Sequence, residues 1–124
     1  MKILIVDDDP GFLNAVKMML EQNRHAVDCA SSAPAGIEAL KAAEYDVVLV
    51  DYHMPDQDGI WFMQNAKLPR RTRAILTTSF VNRAVINEMF KLGISGYLIK
   101  PFDEKELIRH LDFRAPPATP ETAG

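Results

Sequence analysis

The chain predicts an α/β fold with one parallel sheet and helices on both of its faces. Three observations carry that expectation. Short apolar runs of strand length recur five times, at Ile3 to Val6, Ala26 to Ala30, Val47 to Val50, Ala74 to Thr77 and Gly96 to Ile99. Segments with apolar residues at helical spacing alternate with them. The first and third runs are continuously apolar, as in strands buried on both sides, and parallel strands need helical crossovers of this kind.

Taken in order, Ile3 to Val6 stops at Asp7, Asp8 and Asp9, and Pro10 after an acid is the signature of an N-cap with proline in the first helical turn. Phe12, Val16, Met19 and Leu20 then recur on one helical face. Ala26 to Ala30 is a weaker strand with Val27 and Cys29 on one side, and Ser31-Ser32 offers caps for a helix through Ala43. Ile37 and Leu40 supply that helix's apolar face, while Gly36 lowers its intrinsic stability by about 1 kcal/mol.

Val47 to Val50 ends in Asp51, and Tyr52-His53-Met54-Pro55 follows. A turn-like Asp56-Gln57-Asp58-Gly59 leads to a short helix over Ile60 to Ala66, which ends near Pro69. Arg70, Arg71 and Arg73 read as a solvated connection. The strand Ala74 to Thr77 finishes at Thr78-Ser79, and a helix over Val81 to Leu92, with Val85, Ile86, Met89 and Leu92 as its stripe, stops at Gly93. Gly96 to Ile99 is followed by Lys100-Pro101-Phe102. Asp103 and Glu106 have capping-box spacing before a final helix with Leu107, Ile108 and Leu111 inside. The proline-bearing stretch 114–124 has no apolar period and reads as a flexible tail or the start of a linker after a domain at 1–113.

The 124 residues suit one domain, and 48% apolar with 25% charged residues is ordinary globular composition. A net charge of −3, from 14 Lys plus Arg against 17 Asp plus Glu, lacks the basic excess of nucleic-acid binding. Cys29, alone, permits neither an internal disulfide nor a Cys-rich zinc site, and is expected to be a buried thiol. Acids follow the first apolar run too soon for a signal-peptide core or a membrane span, so a cytoplasmic protein is expected.

In a parallel sheet the residues just past each strand gather on one edge. Asp7, Asp8, Asp9, Asp51, Thr78 and Lys100 therefore meet where open α/β sheets bind ligands. Clustered carboxylates resist ionising together unless they share a cation. All-oxygen ligation by two or three of them, with water positions left open, suits Mg²⁺. Mg²⁺ and the Lys100 ammonium would neutralise phosphoryl oxygens, the Thr78 hydroxyl would bond one of them, and a strand-end carboxylate would attack. Composition and spacing leave open whether Asp51 or Asp8 is that nucleophile.

The order Ile-Leu-Ile-Val-Asp7-Asp8, Val-Asp51-Tyr-His-Met-Pro55 with Asp58-Gly59, Thr78-Ser79, and Gly96-Tyr97-Leu-Ile-Lys100-Pro101-Phe102 resembles the receiver (phosphoacceptor) domain of two-component response regulators. The resemblance implies a flavodoxin-like doubly wound (βα)5 sheet in the order 2-1-3-4-5. It implies that Asp51 accepts a phosphoryl group from a sensor histidine kinase or histidine phosphotransfer protein. It implies Mg²⁺ (or Mn²⁺) held by Asp7, Asp8, Asp51 and the His53 backbone carbonyl, and phosphoryl oxygens bound by Thr78 and Lys100. The Lys100-Pro101 peptide would be cis.

On phosphorylation Thr78 would move toward the new oxygens and Tyr97 would turn inward, altering the face of the fourth helix, fifth strand and fifth helix. That face would signal to an unknown output domain or protein, and the resemblance leaves homodimerisation through it open. His53 and Phe80 would flank the phosphoryl group, with Phe80 limiting water access. Gln57, where an apolar residue is commoner, would loosen the turn beneath Gly59.

The expected role is a signalling phosphoacceptor that assists its own phosphorylation and dephosphorylation, not an enzyme. A haloacid dehalogenase-like phosphatase also uses an aspartyl phosphate and Mg²⁺, but places a second Asp where this chain has His53. A flavodoxin-like electron carrier needs a Ser, Thr and Gly-rich phosphate loop after the first strand, where this chain has three acids.

Overall fold

The computed structural model describes residues 1–112, so the tail expected over 114–124 lies outside the described residues. Strands β1 (Lys2–Val6), β2 (Ala26–Ala30), β3 (Val47–Asp51), β4 (Arg73–Thr78) and β5 (Gly96–Ile99) alternate with helices α1 (Pro10–Gln22), α2 (Ala33–Ala42), α3 (Gly59–Asn65), α4 (Arg83–Lys91) and α5 (Glu104–Asp112). The strands form one sheet in the order β2-β1-β3-β4-β5, every neighbouring pair parallel.

Side chains alternate across a strand, and that period of two builds two cores from one sheet. Ile3, Ile5, Val47, Leu49, Ile75 and Leu98 face Leu13, Val16 and Leu20 of α1 and Leu107 and Leu111 of α5. Leu4, Val6, Val48, Val50, Ala74 and Leu76 face the other way, toward Phe62 and Met63 of α3 and Met89 of α4. Continuous apolar runs in β1 and β3 follow from cover on both faces. The buried face of α1 is carried by Leu13, Val16 and Leu20, while Phe12 and Met19 lie half-buried at its margin.

Helix boundaries follow the caps. Asp9 accepts from the Gly11 and Phe12 N–H groups at the start of α1, and Ser32 from Ala35 at the start of α2. Asp58 accepts from Trp61, which starts α3 at Gly59, and Asn82 accepts from Val85, which starts α4 at Arg83 and leaves Val81 outside it. The Asp103 carboxylate takes the Glu106 N–H at 2.8 Å before α5.

Three local expectations change. Cys29 is exposed, because β2 is an edge strand of the sheet; partial burial still pushes its thiol pKa up. Arg73 is not in a solvated connection: it opens β4, and its guanidinium donates to the carbonyls of His110 and Leu111 in the last turn of α5. Gly36 is required where it stands, since a Cβ there would lie 2.8 Å from Val6 Cγ2 and 2.9 Å from Phe62 Cε1. The helix-propensity cost of that glycine admits close packing of α2 on the sheet. No described helix is long and apolar enough to cross a membrane.

Candidate functional site

The C-terminal edge of the sheet collects the chemistry. Asp7 follows β1, Asp51 ends β3, Thr78 ends β4 and Lys100 follows β5. Backbone bonds hold these ends in register: Asp7 N–H donates to Ala30 O at 3.0 Å, Tyr52 N–H to Thr77 O at 3.0 Å, and Lys100 N–H to Thr78 O at 2.7 Å. Gly59 N–H donates to Tyr52 O at 2.9 Å. A Cβ on Gly59 would lie 2.9 Å from the Asp51 carbonyl oxygen, so the turn after β3 closes only over a residue without a side chain.

Asp7 and Asp51 are buried, at 1% and 6% exposure, while Asp8 is exposed. One carboxylate oxygen from each of the three lies within 4.8 Å of the others. Lys100 Nζ stands 2.7 Å from Asp7 Oδ2 and 3.3 Å from Asp51 Oδ1, and its side chain is 18% exposed. Asp7 Oδ1 accepts the Asp9 N–H at 2.9 Å, so both oxygens of this buried acid are engaged. Burial pushes the Asp51 carboxyl up to about 6, the Asp7 charge adds to the rise, and Lys100 opposes it.

With its acids ionised, the cluster of three carboxylates and one ammonium carries a net charge of −2. Hard oxygen donors with that excess fit a divalent cation such as Mg²⁺.

Thr78, 3% exposed, is at the same edge but its hydroxyl is turned into its own loop: it donates to Phe80 O at 3.0 Å and accepts the Phe80 N–H at 3.2 Å. Phe80 is 70% exposed, and its ring stands edge-on to the His53 ring, centroids 6.4 Å apart. His53 in turn packs edge-on to Tyr52. Tyr97 is not part of the acid cluster. It is half-buried on β5, edge-on to Phe90 of α4. The Lys100-Pro101 peptide is cis. Gln57 N–H donates to Pro55 O at 2.8 Å within the turn before α3.

One residue not singled out as a site residue stands against the cluster. The ring of Phe12 lies under Lys100 Nζ, 4.0 Å from its centroid. In the sequence Phe12 is one of several apolar positions on α1, and nothing in its spacing distinguishes it.

Fold and site together define a doubly wound α/β domain with an acidic, lysine-bearing cluster at the sheet edge. The response regulator receiver domain model matches residues 3–112, and the chain belongs to that family. It is 32% identical to the transcriptional regulatory protein ResD of Bacillus subtilis (strain 168), over 86% of this chain and 45% of ResD. Among solved structures it resembles the chemotaxis protein CheY4 of Vibrio cholerae, with TM-score 0.84 and 25% identity over 89% of this chain and 94% of that one. It also resembles the receiver domain of the sensor histidine kinase PA1611 of Pseudomonas aeruginosa PAO1, with TM-score 0.77 and 26% identity over 89% of this chain and 93% of that one. That receiver holds a magnesium ion in its active-site cleft.

The chain spans about half or less of the curated relatives it matches. Receiver domains of response regulators work with histidine kinases and output domains, as signalling modules rather than classical enzymes. The comparisons give the haloacid dehalogenase-like alternative no support.

Proposed function

We propose that Asp51 accepts a phosphoryl group from a phosphohistidine of a sensor histidine kinase or histidine phosphotransfer protein, and that the modified domain signals to an output partner. The observation that supports this most is the convergence of Asp7, Asp8, Asp51 and Lys100 on one sheet edge. An Asp51 carboxylate oxygen forms the new O–P bond as the P–N bond to the donor imidazole breaks, and the electron pair leaves with the imidazole nitrogen. Lys100 already lies against Asp51 Oδ1 and neutralises charge on the arriving phosphoryl oxygens. Asp7, Asp8, Asp51 and the His53 backbone carbonyl would hold Mg²⁺ or Mn²⁺, which when bound supplies further neutralisation of those oxygens.

Thr78 donates its hydroxyl proton either to Phe80 O or to a phosphoryl oxygen. Turning that hydrogen bond from Phe80 O to the phosphoryl oxygen releases the turn Thr78 makes with Phe80, and Tyr97 moves into the space vacated on the α4 side. Phosphorylation thereby biases two packings of one face. That face carries a cleft of about 540 Å³ lined by Phe90, Tyr97, Ile99, Glu106, Arg109 and His110, suited to an output partner or a second copy. The reading places the domain in the cytoplasm.

Phe80, whose ring stands edge-on to that of His53 and whose backbone bonds Thr78, shields the acyl phosphate from water. Phe80→Ala is expected to shorten the lifetime of phospho-Asp51 in a decay assay after removal of the phosphodonor; an unchanged lifetime contradicts the shielding role. The reading as a whole is tested by incubation with acetyl phosphate and Mg²⁺, followed by intact mass. Wild type gains one phosphoryl group and Asp51→Asn gains none; equal labelling of both overturns the assignment.

A further inference from the structure

We propose that Phe12 is a positioning residue for Lys100, its ring face seating the ammonium against Asp7 and Asp51. The proposal rests on the phosphoacceptor reading for its functional consequence and on geometry alone for the seat.

Contacts among Asp7, Asp9, Phe12 and Lys100 close a circuit. Asp7 Oδ1 accepts the Asp9 N–H at 2.9 Å, and Asp9 Oδ1 accepts the N–H groups of Gly11 and Phe12 at 2.9 and 3.3 Å. The Phe12 ring then lies 4.0 Å from Lys100 Nζ, and Lys100 Nζ donates back to Asp7 Oδ2 at 2.7 Å. The acidic turn, the first turn of α1 and the end of β5 are thus fixed to one another around the ammonium. Phe102, two residues beyond Lys100, packs edge-on to Phe12 with centroids 5.8 Å apart and holds the ring in place.

An ammonium has three N–H donors and no acceptor. The two carboxylates take donors from it, and the ring face supplies an attractive contact where water would otherwise solvate it. A π face makes little directional demand. Lys100 can therefore exchange its contact with Asp51 Oδ1 for one with a phosphoryl oxygen and remain seated, whereas a fixed acceptor in Phe12's place would compete for the donor. Phe12 acts through Lys100, the charged group its ring lies against.

The test compares Phe12→Leu, which keeps apolar bulk without a π face, with Phe12→Tyr, which keeps the face. In ¹H–¹³C spectra the Lys100 ε-CH₂ signal is expected upfield in wild type and Phe12→Tyr, from the ring current, and at ordinary lysine positions in Phe12→Leu. The initial rate of Asp51 phosphorylation by acetyl phosphate with Mg²⁺ falls about three- to thirty-fold in Phe12→Leu, the size of a partly desolvated cation–π contact, and stays close to wild type in Phe12→Tyr. Should Phe12→Leu fail to fold, Phe12→Met replaces it. Equal rates for wild type and Phe12→Leu, or equal losses in the Leu and Tyr variants, overturn the proposal. If wild type itself takes up no phosphoryl group, the phosphoacceptor reading fails, and the Lys100 shift alone then decides whether the ring seats the ammonium.

Discussion

Lys100→Met is expected to slow phosphoryl transfer to Asp51 by about 10²- to 10³-fold, the loss typical of removing one preorganised charge-stabilising donor. Methionine keeps an unbranched apolar stem against Phe12 and removes only the charge. The cluster then passes from a net −2 to −3, with Asp7 left buried at 1% exposure and without its cation. Asp51 is affected too, because Lys100 is the influence that holds its carboxyl down against burial and Asp7. Its pKa rises above about 6, and a smaller fraction is ionised at neutral pH. Two deficits follow, one in transition-state charge and one in nucleophile. Raising the pH repairs only the second, so the variant's rate recovers partly between neutral and mildly alkaline pH. Initial rates across that range check the account; a variant within tenfold of wild type contradicts it.

Asp51→Asn is expected to stabilise the metal-free protein at neutral pH by about 3 kcal/mol, a rise of roughly two pKa units converted at 1.36 kcal/mol each. The sign follows from which state holds the proton more tightly. Asp51 titrates near 6 when folded against a model value of 3.8, so the folded state binds the proton more tightly. Wild type therefore loses stability as pH rises from about 4 to about 6 and is level above that. Asparagine does not titrate, so the gap between the two proteins opens over that window and closes below it. Divalent cation narrows the gap at neutral pH, since a ligand bound by the folded state stabilises by mass action and wild type offers it one more carboxylate. Urea titrations at several pH values, with chelator and then with Mg²⁺, measure both effects. A gap that is constant with pH excludes Asp51 as the strained carboxylate.

The architecture was legible because β1 and β3 are apolar without alternation, a pattern that only cover on both faces explains. The site edge was legible for a related reason: parallel strands share one C-terminal end, so the residues after each had to gather. Geometry confined to three dimensions was not legible. Cys29 alternates with Val27 as a core position should, yet the edge position of β2 leaves it exposed. Leu13 rather than Phe12 or Met19 completes the buried face of α1, and the Phe12 ring at its margin lies against Lys100. Gly36 looked like a weakness in α2 and is a contact between α2, β1 and α3. Arg73 looked like part of a charged loop, although a strand start beside the end of α5 gives it carbonyls to bind. Nothing in the spacing told that the Thr78 hydroxyl is engaged by Phe80.

Charge and spacing alone also leave Asp51 and Asp8 as rival nucleophiles, and the two stand in different environments. Asp51 is buried at the end of its strand with Lys100 beside it, whereas Asp8 is exposed. The most direct test of the central claim is chemical localisation of the acyl phosphate. Borohydride reduces an aspartyl phosphate to homoserine, so peptide mapping of the phosphorylated, reduced chain reads the acceptor at residue resolution. Homoserine at position 51 and nowhere else is the predicted result; homoserine at position 7, 8 or 9, with Asp51 intact, contradicts it.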